Sequence, residues 1–97
     1  MKQTKPTIHK NNWRLWLQNC DQMTSAGFTP NARYNVEYKK NSIVLILDPL
    51  GKRKVSKTAR GGTLDLNNSK LAPDLWDFSA GAIWDFSPAK IIIKGVK

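Results

Sequence analysis

The sequence predicts a mainly β fold with short helices, built from two similar halves of one chain. Residues 33–38 alternate between apolar and polar side chains, which is the period-two pattern of a half-buried strand. Residues 43–47 and 91–93 are runs of strong β-formers, and residues 84–86 alternate like the first strand. Strand signals of the same kind therefore recur about 50 residues apart.

The chain length sets the domain organisation. Ninety-seven residues are enough for one compact domain. We expect a single domain, 1–97, of two repeats at about 7–50 and 60–97, joined by a basic loop at 51–62. One repeat alone is too small to bury its own sheet face, whereas two can share a core.

The first repeat is expected to begin with a short extended piece at Thr7–His9 and to continue with a helix that starts at Trp13 and ends before Gly27. Asn11 or Asn12 would cap this helix, because an asparagine side-chain oxygen accepts an orphan backbone N–H. Gly27 would end it as the residue after the C-cap. Four side chains at i, i+3, i+4 and i+7 predict the buried face: Trp13, Trp16, Leu17 and Cys20.

The second repeat is expected to contain a short strand at 63–66, a weak helical turn around 70–76 and a final hairpin. Its hairpin would turn at 87–90, as the first hairpin turns at 39–42.

Two short stretches carry a resemblance to a known family. Residues 60–71, Arg-Gly-Gly-Thr-Leu-Asp-Leu-Asn-Asn-Ser-Lys-Leu, resemble the opening strand and helix start of the AbrB, MazE and SpoVT swapped-hairpin domains, with Asn67 where those domains usually have proline. Residues 78–82 resemble their turn before the hairpin. The first half is similar to SymE-type toxin proteins at four places: 16–17, 26–32, 36 and 43–45.

The resemblance implies a two-repeat AbrB-like swapped-hairpin β-barrel formed within one chain. It also implies a function, since members of these families typically bind DNA as transcription factors or antitoxins, or act on nucleic acid as toxins. The expected context is a bacterial or phage regulator or a toxin-type protein. The molecule would be a monomer with an internal pseudo-dimer, or a homodimer.

Charge is distributed unevenly along the chain. The formal net charge is +9, from 16 basic and 7 acidic residues. Residues 1–60 hold 12 of the basic and 3 of the acidic residues, a net of +9, and residues 61–97 hold 4 of each. Such an asymmetry indicates an acidic partner, with DNA or RNA first.

The most basic segment lies between the predicted repeats. Lysine and arginine there can neutralise phosphates, and arginine can also make bidentate contacts to guanine or phosphate. We expect binding by this segment, with the first hairpin and the first helix extending the patch: Lys52, Arg53, Lys54, Lys57, Arg60, Arg33, Lys39, Lys40 and Arg14. The second hairpin lacks matching charges, so a one-sided patch is expected.

Catalysis has weaker signals in the sequence. One histidine, His9, and one cysteine, Cys20, do not make up a zinc site, and no phosphate-binding glycine loop is present. We expect no cofactor and no enzymatic activity. A metal-dependent nuclease remains an alternative, using Asp65, Asp74, Asp77 and Asp85, of which Asp74 and Asp77 could share a helix face.

A third hypothesis is a small phage-type inhibitor that docks on a defence complex or on a nucleic-acid-handling protein. Exposed aromatic side chains would then serve as hot spots, with Trp76, Phe78, Trp84 and Phe86 as candidates. The chain has no apolar stretch of about 20 residues and no secretory pattern at its start, so a cytoplasmic location without membrane contact is expected.

Overall fold

The computed structural model describes residues 1–18 and 20–96. The mainly β class is confirmed, because the elements in these residues are ten strands, one short α-helix and one 3₁₀ turn. Lys97, the last residue of the predicted second repeat, lies outside the described residues. No helix in this part of the chain is long and apolar enough to cross a bilayer.

A six-stranded antiparallel sheet contains both predicted hairpins side by side. Its strand order is β1-β9-β10-β5-β4-β6, so the last strands of the two hairpins, β5 and β10, pair at the centre. Of the flanking strands, β1 crosses over to the second hairpin, whereas β6 pairs with the first hairpin, which it follows in the chain. The six strands are β1 Lys2–Thr4, β4 Arg33–Tyr38, β5 Ile43–Leu47, β6 Arg53–Lys54, β9 Ala82–Ser87 and β10 Lys90–Gly95.

A four-stranded antiparallel sheet, ordered β2-β3-β8-β7, holds the other strands. Its central pair joins β3 to β8, with Leu15 opposite Leu66 and Leu17 opposite Leu64. Neither sheet closes into a barrel within the described residues, so the expected barrel is not the arrangement seen. The four strands are β2 Thr7–His9, β3 Asn12–Gln18, β7 Ser56–Thr58 and β8 Gly61–Leu66.

One apolar core draws side chains from both sheets. The four leucines of the β3–β8 pair are buried, and so are Trp84, Leu45 and Ile93 from the larger sheet. Phe28 and Phe78, from the connections that precede the two hairpins, are buried in the same cluster. Burial of this apolar surface is the main force that holds the two sheets together.

The helix predicted to start at Trp13 is wrong in its first part. Residues 12–18 form β3, and only Asp21–Ser25 are helical, as α1. Trp13 and Leu17 satisfy a period of two, with Leu15 between them, as well as the helical spacing, and pairing with β8 decides between the two. Asn11 caps no helix. It and Lys10 have φ values of 67° and 53° in the two-residue turn between β2 and β3, which is the backbone that such hairpins favour.

The segment 51–62, expected as a basic loop, contains β6, β7 and the first residues of β8. The run of charged residues gives no apolar alternation by which to predict these strands, whereas an edge strand tolerates lysine and arginine. The connection from β7 to β8 is a tight turn at Ala59 and Arg60.

The other elements agree more closely with the sequence. The strands expected at Thr7–His9, Arg33–Tyr38, 43–47, 63–66, 84–86 and 91–93 are confirmed within observed strands. Gly27 has a φ of 98° and follows the C-cap of α1, as expected. The helical turn around 70–76 is shorter than expected and consists of a 3₁₀ turn at Ser69–Leu71.

Gly51 allows the chain to pass close to β4. A Cβ atom at this position would lie 2.6 Å from the carbonyl oxygen of Tyr34 and 2.7 Å from its backbone nitrogen. Gly51→Ala is therefore expected to lower the free energy of unfolding by about 1–3 kcal/mol, since paired backbone cannot easily move aside. Thermal unfolding measures this, with Leu50→Ala as the control because Leu50 is 89% exposed. Equal melting temperatures for the two variants would contradict the prediction.

Candidate nucleic-acid interface

The turn that carries Lys52 and Arg53 is fixed to β4. The Asn35 side chain donates to Asp48 Oδ2 (2.9 Å), and its Oδ1 accepts from the backbone N–H of Lys52 (3.2 Å). Arg53 lies opposite Tyr34 in the ladder. Residues directly opposite in a ladder share a face of the sheet, so Arg53 lies on the face where Tyr34 is buried. Two cationic residues are thus held at a defined place rather than on a loose loop.

Tyr38, at the end of β4, is the aromatic centre of this region. Asn68 Nδ2 donates to the Tyr38 hydroxyl (3.0 Å), and Asn68 Oδ1 accepts from the backbone N–H of Lys70 (2.9 Å). Lys70 Nζ lies 5.3 Å from the centroid of the Tyr38 ring, within range for a cation–π contact. One asparagine therefore fixes both the tyrosine and the turn that presents the lysine.

Two shallow depressions meet at Tyr38 and Lys70. One, of about 350 Å³, is lined by Lys52 and Arg53 among others, and the second, of about 280 Å³, by Lys39 and Lys40. Both include Tyr38 and Lys70 in their lining. We call the surface formed by these six residues the basic band: Tyr38, Lys39, Lys40, Lys52, Arg53 and Lys70.

Arg14 lies beside the basic band, on β3. With Arg53 and Asp65 it lines a third depression, of about 310 Å³. Its guanidinium makes a two-pronged contact with Asp65, with Nη2 to Oδ2 at 2.8 Å and Nε to Oδ1 at 3.1 Å. This hydrogen bonding and the negative charge of Asp65 raise the pKa of Arg14. Arg14 is thus oriented, although part of its charge is neutralised.

The structure brings some of the predicted binding residues together and not others. Arg14, Lys39, Lys40, Lys52 and Arg53 line the three connected depressions. Four do not line them: Arg33, Lys54, Lys57 and Arg60. Arg33 and Lys54 are opposite each other and are exposed, and Arg33 Nη1 donates to the Gly51 carbonyl (3.1 Å). Lys57 lies on the edge strand β7, and Arg60 on the turn that follows it.

No family model, curated protein or solved structure matches this chain in comparison searches. The physical features of the surface therefore carry the functional argument.

Sequence reasoning missed Lys70 and Tyr38 as site residues. Lys70 was assigned only to a weak helical turn, and Tyr38 only to the apolar side of a strand. The sequence signal that could have indicated Lys70 is Asn68, because its side chain can cap a turn that contains Lys70. The approach of residue 70 to residue 38 depends on the packing of the second half against the first.

The aromatic residues proposed for a docking surface are largely unavailable for one. Trp84 and Phe78 are buried in the core, and Trp76 and Phe86 are half-buried. Trp76 stacks on Phe78, with ring centroids 5.7 Å apart. The expectation of exposed hot spots at Trp84 and Phe78 is wrong, because their β-sheet and turn positions point into the core.

The aspartates proposed for a nuclease do not form a cluster. Asp65 pairs with Arg14, and Asp77 accepts hydrogen bonds from the backbone and hydroxyl of Ser79, which lower its pKa. Asp74 and Asp77 share no helix face, since Asp74 is in a turn and Asp77 follows it in irregular chain. Within residues 1–18 and 20–96, no group of three or more His, Cys, Asp or Glu residues is placed to hold a metal ion.

Proposed function

We propose that this protein binds nucleic acid through the basic band. The observation that carries the proposal is the convergence of five cationic side chains around one half-buried aromatic ring, Tyr38, on elements from both halves of the chain. Lysine and arginine supply sequence-independent phosphate contacts, and an aromatic ring supplies a surface on which a base can stack.

The charges of the basic band are largely free to act on a ligand. Among the described residues, its one ion pair is Lys39 with Glu37, at 3.8 Å and well exposed on both sides. Such exposed pairs contribute little energy, so a phosphate could replace Glu37 at small cost. The band therefore keeps most of its positive potential, which steers an anionic polymer towards it.

The sheet order supports a further part of the proposal, that the chain is a tandem relative of the swapped-hairpin DNA-binding domains. The two hairpins pair with each other through β5 and β10, and β1, at the start of the chain, pairs with β9 of the second hairpin. We propose on this basis an internal pseudo-dimer that works as a bacterial or phage regulator or as a toxin-type protein in the cytoplasm.

The test is an electrophoretic mobility shift at low and at moderate salt, with duplex DNA and with single-stranded RNA. Binding through several phosphate contacts is expected to weaken by about tenfold or more between 50 and 200 mM salt. No shift at micromolar protein in low salt would overturn the proposal. A shift that does not respond to salt would argue against the basic band as its source.

A further inference from the structure

Among the four tryptophans, all of which lie in the residues that the structure describes, Trp16 is the one with a substantially exposed side chain. It lies on β3 between Leu15 and Leu17, which point into the core, so its ring stands on the opposite, solvent face of the four-stranded sheet. Its exposed fraction is 44%, whereas Trp84 is fully buried. A half-exposed ring on the solvent face of a sheet is available to contact a ligand.

The surface around Trp16 is a groove of about 370 Å³. One wall is formed by β1, which brings Lys2, and by the chain between β1 and β2, which brings Lys5, while Arg14 and Gln18 line the groove from β3. The volume falls within the range of small-ligand sites. Two lysines, a fixed guanidinium and an aromatic ring are together suited to a nucleotide, with its phosphate on the cations and its base on the ring.

This tryptophan groove is continuous with the basic band. Arg14 lines both the groove and the depression that also contains Arg53. Arg53 in turn lines the depression around Tyr38. Shared lining residues thus join the two surfaces into one path, with the Trp16 and Tyr38 rings at its ends and the Arg14–Asp65 ion pair between them.

We propose that the tryptophan groove takes an unpaired base, so that the preferred ligand of the path is single-stranded nucleic acid. The inference rests on the proposed binding function and specifies its substrate class. In a duplex both faces of an internal base are stacked on neighbouring base pairs, and the base cannot lie on Trp16. In a single strand each base offers a free face, and stacking on aromatic side chains is the usual source of such binding.

Fluorescence anisotropy tests the inference with labelled oligothymidylate and oligouridylate of about 12 nucleotides, a length within the usual site sizes of roughly 4–16, and with a duplex of equal length. Trp16→Ala is expected to weaken single-strand binding by about tenfold and to leave duplex binding within about twofold. Trp16→Phe is expected to retain most of the affinity, because the stacking face remains. Ile8→Ala is the matched control, since Ile8 is a 50% exposed apolar residue on the neighbouring strand and does not line the groove.

The outcomes separate this inference from the function on which it rests. Unchanged single-strand affinity in Trp16→Ala would overturn the groove assignment while salt-sensitive binding by the basic band still stood. Equal losses for single strand and duplex would also overturn it, because Trp16 would then act without reading an unpaired base. No binding of any of the three oligonucleotides at low salt would overturn both proposals. Circular dichroism of each variant confirms that the fold is retained.

Discussion

The double variant Lys52→Gln, Arg53→Gln is expected to bind nucleic acid more than tenfold more weakly at low salt. Lys52 is held by Asn35, and Arg53 lines both the depression around Tyr38 and the one shared with Arg14. The double variant removes two positive charges from the middle of the path. Phosphates bound in the depression around Tyr38 and in the one shared with Arg14 therefore both lose contacts. The slope of log affinity against log salt is expected to become shallower by about two. A titration by anisotropy at several salt concentrations measures both quantities.

The chain offers a control of equal charge. Lys54→Gln with Lys57→Gln also removes two positive charges from the same short segment, but neither residue lines the three depressions. Lys54 is adjacent to Arg53 on β6 and is therefore directed to the opposite face of the sheet. We expect this pair to lose less than about threefold in affinity, through the general potential alone. Equal losses in the two double variants would show that net charge, rather than the basic band, governs binding.

Trp84→Ala is expected to have the largest effect on stability, with a loss of about 3–5 kcal/mol in the free energy of unfolding. The ring is fully buried, and its Nε1 donates to the hydroxyl of Thr4 on β1 (2.9 Å). The substitution leaves a cavity in the core and removes the side-chain bond between β9 and β1. Because domains of this size have only about 5–15 kcal/mol of stability, much of the protein should unfold at low denaturant.

Urea unfolding followed by circular dichroism measures this loss. Trp16→Ala makes the same chemical change at a half-exposed site and is expected to cost less than about 1 kcal/mol. A similar midpoint for the two variants would contradict the assignment of Trp84 to the core and of Trp16 to the surface.

Local patterns predicted the hairpins well because their strands carry their own signals. In β4 the alternation of Tyr34 and Val36 with polar residues is unambiguous, and β5 is a dense run of β-formers. The failure at Trp13–Leu17 has a physical cause, since this stretch contains apolar residues at the spacing of a helix face (Trp13, Trp16 and Leu17) and also at that of a strand face (Trp13, Leu15 and Leu17). The choice between them is made by β8, some 49 residues away, and short-range pattern does not contain that information.

The candidate site, like the fold, was predictable from the sequence only in part. Charge clustering in the sequence points to Lys52 and Arg53, and both lie in the basic band. Lys70 joins them only through the bond from Asn68 to Tyr38, across 30 residues of sequence. Trp16 was misplaced together with its helix, because a residue assigned to the buried face of a helix offers no ring to a ligand.

The larger sheet pairs strands that are far apart in the sequence, and this affects how the chain folds. Its central ladder joins residues 43–46 to residues 90–93, and β1 pairs with residues 82–84. These contacts close loops of more than 40 and nearly 80 residues. The chain loses the conformational entropy of these loops before the contacts of the sheet stabilise it. During synthesis, β5 of the first hairpin is made before its partner β10. Until β10 has left the ribosome, the edge of the apolar strand β5 that pairs with β10 stays unpaired. Folding is therefore expected to be slow for a domain of this size, with the pairing of β5 and β10 as its late, cooperative step.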